Sequence, residues 1–202
     1  MTKATATRTR RTPEERRAQL LVLGVEMLST RSLAELSMDE LAASAGISKA
    51  LVFHYFGSKA EFHLAVASAA ADEFIALTEP DPTLELDAQL DQSMRAFVRY
   101  VGDNRVGYLM LVRGAGGGDE AMLGLFADTR DRVVQRIVTK LGPIDLDGPL
   151  LRLAVRGWVA FAEEVTLSWA DDPRATEEEI LDLLRDSLTA VVARALGVDP
   201  LA

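Results

Sequence analysis

Side chains able to bind a nucleic acid are concentrated in one short stretch, residues 37–59. Lys49 can donate to a guanine edge, and His54 can donate or accept at a base. Ala50 and Leu51 are apolar and can contact thymine methyl groups. The remaining candidates suit phosphate oxygens and are Ser37, Ser48, Tyr55 and Lys59. The stretch therefore predicts a surface that reads double-stranded DNA.

The first half of this stretch predicts a short helix that ends in a tight turn. Ser37 and Glu40 have the spacing of a capping box, in which the Ser accepts from the Glu N–H and the Glu reaches back. Gly46 follows the last apolar residue, where a left-handed residue ends a helix at little steric cost. We therefore expect a helix of about two turns.

The second half predicts another short helix and the start of a third. Ser48 can cap a helix whose inner face carries Val52 and Phe56. Ser58 and Glu61 then have capping-box spacing again. Two short helices joined by a turn with Gly are typical of the DNA-binding helix-turn-helix, whose second helix enters the major groove. The alternative is an ordinary helical hairpin inside an all-α core.

The segment AGISKALVFHYFGSK resembles the signature of the tetracycline-repressor (TetR) family of bacterial transcription regulators, with the spacing kept from Gly46 to Lys59. The resemblance is strong over the first quarter of the chain. Phe53 replaces the Tyr whose hydroxyl bonds a phosphate in the family, so this DNA-binding position lacks that donor. Tyr55 stands where His is common and can supply a phosphate donor of its own.

Composition excludes several other classes of protein. The chain has 202 residues, 49% of them hydrophobic, with no Cys and only two His. It therefore has no disulfide framework or cysteine nucleophile, and a multi-histidine metal site is not expected. No apolar run reaches membrane-spanning length and no signal peptide is evident, so we expect a soluble cytoplasmic protein. We find no Ser-His-Asp pairing or cofactor motif, and expect neither catalysis nor a cofactor.

The charge is unevenly divided along the chain. Residues 1–60 hold nine Lys and Arg against six Asp and Glu, a net charge of +3, whereas residues 61–202 hold thirteen against 25, a net charge of −12. The positive potential is thus confined to the end with the helix-turn-helix. This asymmetry would orient the protein on DNA.

Three segments are predicted. Residues 1–11 form a basic arm, expected to be disordered alone, whose Arg8, Arg10 and Arg11 can contact phosphates or enter the minor groove. The alternative is a tail that only aids solubility. Residues 12–60 form the helix-turn-helix domain, and residues 61–202 form a helical domain for effector binding and dimerisation.

Apolar periodicity and capping residues predict an all-α fold of about nine helices. The first spans about residues 12–29 and begins with Thr12, Pro13 and Glu15, a strong start signal. After the helix-turn-helix, helices are expected at about 58–78, 84–101, 106–112, 119–141, 149–170 and 176–196. The run GAGGG at 114–118 precedes two acidic residues, so we expect a flexible connection rather than a phosphate-binding loop.

The penultimate helix is the most apolar segment of the chain, and it and the apolar last helix are expected to pair with their copies in a homodimer. On the penultimate helix the spacing gives one polar strip, formed by Arg152, Arg156, Glu163 and Thr166. Glu164 lies off that strip among apolar residues, where an unpaired buried charge would be costly. The alternatives are an interhelical hydrogen bond, exposure at a rim, or a polar contact inside a ligand cavity.

The TetR resemblance also implies a small-molecule cavity among the helices of the C-terminal domain. Candidate lining residues are Phe97, Tyr108, Met110, Met122, Phe126, Trp158 and Phe161, with Arg113 or Glu164 for a polar group. Such a lining suits a largely hydrophobic effector. The resemblance implies a repressor that binds a palindromic operator as a dimer. The rival is a DNA-binding dimer that has no effector and is controlled by partners or abundance.

Overall fold

The computed structural model describes residues 12–114, 120–141 and 149–198 of the chain. Within these residues the predicted all-α class is confirmed, with nine α-helices, one 3-10 turn (Leu33–Glu35) and no strand. The helices are α1 (Pro13–Leu28), α2 (Met38–Ala45), α3 (Lys49–Phe56), α4 (Lys59–Leu77), α5 (Leu86–Asp103), α6 (Arg105–Gly114), α7 (Glu120–Lys140), α8 (Pro149–Asp171) and α9 (Glu177–Ala195). Four residues of the predicted Gly-rich connection, 115–118, lie outside the described residues.

Reciprocal caps fix the first and last helices where the sequence predicts them. Thr12 Oγ1 accepts from the Glu15 N–H at 3.2 Å, and the Glu15 carboxylate accepts from the Thr12 N–H at 2.8 Å. Thr176 and Glu179 make the same pair of bonds at the start of α9. Each pair satisfies two backbone donors that have no partner within the helix.

The predicted capping box of α2 is wrong in both of its hydrogen bonds, although Ser37 caps the helix as predicted. Ser37 is the N-cap, but its Oγ accepts from the Asp39 N–H at 3.2 Å. The Glu40 carboxylate forms an ion pair with Arg31 instead. A bond to a guanidinium is stronger than a bond to a neutral amide, so the Arg outcompetes the helix terminus for this carboxylate.

The N-terminal core lies between the first three helices and the first part of α4. Its buried members are Leu20, Leu28, Leu36, Met38, Leu41, Ala42, Val52, Phe56, Phe62, Val66 and Ala70. The last three belong to α4, so this helix extends the N-terminal core well past residue 60. Because α4 also packs against α5 and α7, it joins the two halves of the molecule.

The C-terminal core lies between α5, α7, α8 and α9. It is built mainly from aliphatic side chains, the fully buried ones being Val98, Val134, Leu151, Val155, Leu181 and Leu184. Helix α8 packs on both α7 and α9, which explains its high apolar content. Arg95 of α5 clamps the start of α9 through Glu178, at 2.5 and 2.8 Å.

A second connection between the halves is formed by the corner of α5 and α6. Tyr100 Oη donates to the Ala70 carbonyl of α4 at 3.1 Å. Gly107 of α6 lies directly against the end of α1: a Cβ at this position would sit 2.6 Å from the Leu28 carbonyl oxygen. Only a glycine allows this backbone approach. Helix α6 is thus in direct contact with the N-terminal domain.

Candidate functional site

Helix α3 presents one exposed face and anchors the opposite one. Val52 is fully buried and Phe56 is 4% exposed, so both fix the helix to the N-terminal core. The predicted base-reading positions point away from that core: Lys49, Ala50, Phe53 and His54 are exposed, and Leu51 is half-buried. This arrangement agrees with the orientation expected of a recognition helix.

The turn before α3 is set by backbone geometry. Gly46 has φ of 64°, in the left-handed region, and ends α2 where the sequence predicts it. The Ile47 N–H then donates to the Ala42 carbonyl at 3.0 Å. Ser48 caps α3 by accepting from the Leu51 N–H at 3.3 Å. The exposed N-terminus of α3 therefore adds backbone donors beside Lys49.

Lys49 does not stand free on this surface. Its Nζ donates to Asp39 Oδ2 of α2 at 2.7 Å, and both side chains are more than half exposed. Exposed ion pairs of this kind contribute about 0–1 kcal/mol, so a phosphate or a base can replace the carboxylate. Asp39 would therefore compete with DNA for the lysine that is predicted to read bases.

The predicted phosphate contacts each interact with other parts of the N-terminal region. Ser37 is half-buried as the cap of α2. Lys59 Nζ is exposed and donates to the Ala34 carbonyl at 3.2 Å. Tyr55 is half-buried against the N-terminal core, and its ring meets that of His54 edge-on at 5.6 Å. The candidates Arg8, Arg10 and Arg11 lie outside the described residues.

Among the predicted effector-binding residues, Phe97 and Tyr108 come together in an aromatic cluster with Phe74 and Tyr100. The ring centroids of Phe97 and Tyr108 are 6.4 Å apart, and both meet the Phe74 ring at near 6 Å: 6.2 and 6.1 Å. Burial, and then the nearby Glu163 carboxylate, raises the pKa of Tyr108 well above its usual value. Its hydroxyl remains a donor at physiological pH.

Of the alternatives for Glu164, the structure shows exposure, and its neighbour Glu163 is the buried carboxylate. Glu163 is 8% exposed, whereas Glu164 is exposed and accepts from Ser168 Oγ at 3.1 Å. The polar strip turns inward at Glu163 because α6 and α7 cover it and supply donors. These donors are Tyr108 Oη at 3.3 Å and Arg130 Nη2 at 2.5 Å.

The other candidates are dispersed. Trp158 is buried against α9, where its indole N–H donates to the Leu184 carbonyl and to Ser187 Oγ. Phe161 is 39% exposed on the outer face of α8. Met122 and Phe126 are half-buried on α7. The side chains of Met110 and Arg113 lie outside the described residues.

Two spaces flank the C-terminal domain in the described part of the chain. A wide groove of about 750 Å³ opens to solvent between α4, α7 and α8. Its lining is mostly charged, and Arg136 there caps the end of α4 by donating to the Ile75 carbonyl and Thr78 Oγ1. A crevice of about 10 Å³ lies beside Tyr108 at the junction of the two halves.

The residues that the structure describes hold no cluster of three or more His, Cys, Asp or Glu side chains placed to bind a metal ion. They also contain no helix whose length and hydropathy would let it cross a bilayer.

The fold and the exposed α3 place the chain among helix-turn-helix DNA-binding proteins, and comparison with known proteins defines the class more closely. The family model described as "Bacterial regulatory proteins, tetR family" matches residues 20–66. The model "Tetracyclin repressor-like, C-terminal domain" matches residues 86–191, more than half of the chain. The chain belongs to the TetR family, whose members are DNA-binding transcription regulators and not enzymes.

Individual relatives agree with this assignment. The crystal structure of a TetR-family regulator from Streptomyces coelicolor is 30% identical, covers 93% of this chain and 90% of its own, and has a TM-score of 0.75. A TetR-like regulator from Rhodococcus sp. RHA1 is 27% identical over 91% of this chain and 99% of its own, with a TM-score of 0.67. The transcriptional activator FasR of Mycolicibacterium smegmatis is 31% identical over 100 residues; the match covers 48% of this chain and 46% of FasR.

Sequence reasoning missed Asp39, Arg130 and Gly107. Asp39 looked like part of a helix start, and only the structure shows its contact with a residue ten positions away. Arg130 was one of several charges on α7. Residue spacing reveals contacts between side chains four positions apart on one helix. The contacts of Asp39 with Lys49, Arg130 with Glu163 and Gly107 with Leu28 each join two different helices.

Proposed function

We propose that this chain binds a palindromic operator as a homodimer in the bacterial cytoplasm and that a small, largely hydrophobic effector alters its DNA affinity. The observation that carries the proposal is the exposed face of α3, with Lys49, Ala50, Phe53 and His54 outward. One such helix reads only a few base pairs. Two of them, related by a twofold axis, would fit half-sites about 34–36 Å apart.

The outer faces of α8 and α9 support the dimer. Leu150 and Leu153 of α8 are 59% and 65% exposed, and Phe161 lies on the same face two to three turns further along. Gly157 and Ala160 lie between them, and their small side chains would let a partner helix approach closely. On α9, Leu183 is 46% exposed. A continuous exposed apolar stripe marks a protein–protein contact, and a stripe on these two helices suits a four-helix interface.

We propose that Ser37, Ser48, Tyr55 and Lys59, with Arg8, Arg10 and Arg11 of the arm, contact phosphates. Each carries a donor that reaches backbone oxygens without reading sequence. For base reading, the proposal relies on Lys49 and His54, whose side chains are exposed on α3. Ala50 and Leu51 would meet thymine methyl groups.

The direction of control has two candidates. Repression is the default that the TetR resemblance implies. Activation is favoured by the similarity to FasR, which is named a transcriptional activator, although less than half of that protein is matched. A regulator without an effector remains the rival, and the small size of the interior crevice, about 10 Å³, supports it.

The dimer is tested by Leu153→Glu. A carboxylate at the centre of the α8 stripe should convert the dimer to a monomer, because a buried unpaired charge is costly. DNA affinity should fall at least about tenfold, since a single half-site loses the second, tethered contact. Sedimentation and DNA titration measure the two effects. Leu77→Glu, at an equally exposed leucine on α4, is the control and should change neither. A dimeric Leu153→Glu variant would contradict this interface.

A further inference from the structure

A group of polar side chains lies inside the otherwise apolar C-terminal domain. The polar core cluster consists of Tyr108 of α6, Arg130 of α7, and Glu163 and Thr166 of α8. The Glu163 carboxylate accepts from Arg130 Nη2 at 2.5 Å and from Tyr108 Oη at 3.3 Å. One positive and one negative charge therefore cancel, and the cluster as a whole is neutral.

Two donors of the polar core cluster are left over. Arg130 Nε and Thr166 Oγ1 are buried, and neither has a hydrogen-bond partner in the part of the chain that the structure describes. Thr166 is 0% exposed and lies one turn beyond Glu163 on α8. A buried donor without a partner costs about 1–3 kcal/mol, so each of the two calls for an occupant that accepts hydrogen bonds.

Apolar and largely aromatic side chains surround Tyr108, the member of the cluster that comes from α6. The ring of Tyr108 contacts those of Phe74, Phe97 and Tyr100, with centroids 6.1 to 6.4 Å apart. Leu167, the next residue after Thr166, packs against Tyr108 and Val101. An apolar wall with a few converging polar groups at one end is the usual composition of a small-molecule site.

We propose that the polar core cluster binds the accepting oxygen of an uncharged carbonyl group, such as an amide, ester or ketone, on an otherwise apolar effector. Arg130 Nε and Thr166 Oγ1 donate to that oxygen. A carboxylate fits less well, because Arg130 is already neutralised by Glu163 and an added anion would be buried without a counter-charge. This inference rests on the effector proposed above and names its chemical class.

The geometry also indicates which side chain moves. The crevice of about 10 Å³ beside Tyr108 is lined by neither Arg130 nor Thr166 and is too small for an effector, so a side chain must move. The bond from Tyr108 to Glu163, at 3.3 Å, is longer than the usual range for a hydroxyl donor, and we infer that the Tyr108 ring is the one that moves. Gly107 precedes it in the chain and touches Leu28 of α1. Occupancy would thus shift α6 against the N-terminal domain.

The test compares three probes with the same apolar body on the full chain by calorimetry: 4-butylbenzamide, 4-butylbenzoate and butylbenzene. The amide should bind at least about tenfold more tightly than the benzoate, because Arg130, the cation of the polar core cluster, is already paired with Glu163. Thr166→Val should weaken amide binding by about three- to tenfold, as expected for one hydrogen bond, and leave butylbenzene unchanged. Thr139→Val, an exposed threonine on α7, is the matched control.

Thr166→Val should fold at least as well as the parent, because it removes a buried hydroxyl that lacks a partner; a melting curve checks this. The proposal is overturned if the benzoate binds as tightly as the amide, if neither binds, or if Thr166→Val leaves amide affinity unchanged. Neither binding would mean that the donors hold ordered water. DNA binding and dimerisation, measured on the same samples without probe, report separately on the proposed function.

Discussion

At the scale of single residues, the surface proposed to read DNA contains an acidic residue that pairs with one of its proposed base-reading residues. Asp39 lies at the start of α2 and holds Lys49 by an exposed ion pair at 2.7 Å. Its carboxylate would also face the phosphates that α3 approaches. Binding DNA therefore exchanges one partner of Lys49 for another, and the gain is smaller than for a free lysine.

Asp39→Asn should raise DNA affinity by about two- to fivefold at low ionic strength, because it frees Lys49 and removes a negative charge from the interface. The measurement is a titration of a fixed duplex by anisotropy. Asp87→Asn makes the same change of net charge at an exposed position in the first turn of α5. If the two variants bind equally, the Asp39 pair does not restrain Lys49.

The burial of the adjacent carboxylates Glu163 and Glu164 could not be predicted from the sequence. A helical projection correctly groups Glu164 with Leu153, Gly157 and Ala160, but it cannot say whether that face meets solvent or another helix. In the structure this face is exposed, and the neighbouring Glu163 turns inward. The partners of Glu163 come from residues 33 and 55 positions away, which no local pattern contains.

At the scale of elements, helix ends were predictable where a capping side chain marks them. Helices α1 and α9 begin where Thr12 and Thr176 predict. Helix α5 instead begins and ends two residues later than predicted, and its N-cap, Glu85, makes no side-chain capping bond. Without a cap the end of a helix is set by tertiary packing, which apolar periodicity locates only roughly.

The junction of α6 with α1 depends on the absence of a side chain at one position. Gly107→Ala would place a Cβ 2.6 Å from the Leu28 carbonyl oxygen, so one of the two helices must move. We expect a loss of about 1–3 kcal/mol in the free energy of unfolding, by analogy with overpacked cores, together with altered DNA affinity. Urea denaturation and a DNA titration measure these quantities.

Gly102→Ala is the control for this substitution. Gly102 lies in α5, and a Cβ there would meet nothing within 4 Å. The change should stabilise the protein by up to about 1 kcal/mol, because alanine favours a helix over glycine. Should Gly107→Ala be as stable as Gly102→Ala and bind DNA like the parent, α6 and α1 would not be coupled through this contact.

At the scale of the whole molecule, the net charge of +3 summed over residues 1–60 hides an uneven distribution of charge within that region. The basic arm, residues 1–11, carries four Lys and Arg and no acidic residue, whereas residues 12–60 carry five Lys and Arg against six Asp and Glu. The helix-turn-helix domain therefore has a net charge of −1, and the arm supplies the positive charge. On this account the folded domain provides the shape that fits the major groove, and the arm provides the long-range electrostatic attraction to DNA.

Removing the arm should reduce the salt dependence of DNA binding more than any substitution on α3. Four cations fewer should lower the slope of log K against log salt by about three to four per protomer, since each neutralised phosphate contributes roughly 0.9. Sequence preference should persist, because α3 is unchanged. A slope equal to that of the full chain would mean that the arm does not contact phosphates.

The dimer and the effector are the properties that one chain reveals least. Apolar residues on α8 and α9 predicted more buried surface than a protomer needs, and exposed Leu150, Leu153 and Leu183 agree with that reasoning. The identity of the operator depends on contacts with bases that neither sequence nor fold contains.

The most direct measurement is selection of bound duplexes from a random pool by the full chain at fixed ionic strength. Two copies of α3 related by a twofold axis predict a palindrome with half-site centres about 34–36 Å, or one helical turn, apart. Each selected duplex should bind two protomers in a sedimentation titration. An enriched site without twofold symmetry, or one protomer per duplex, would contradict the account.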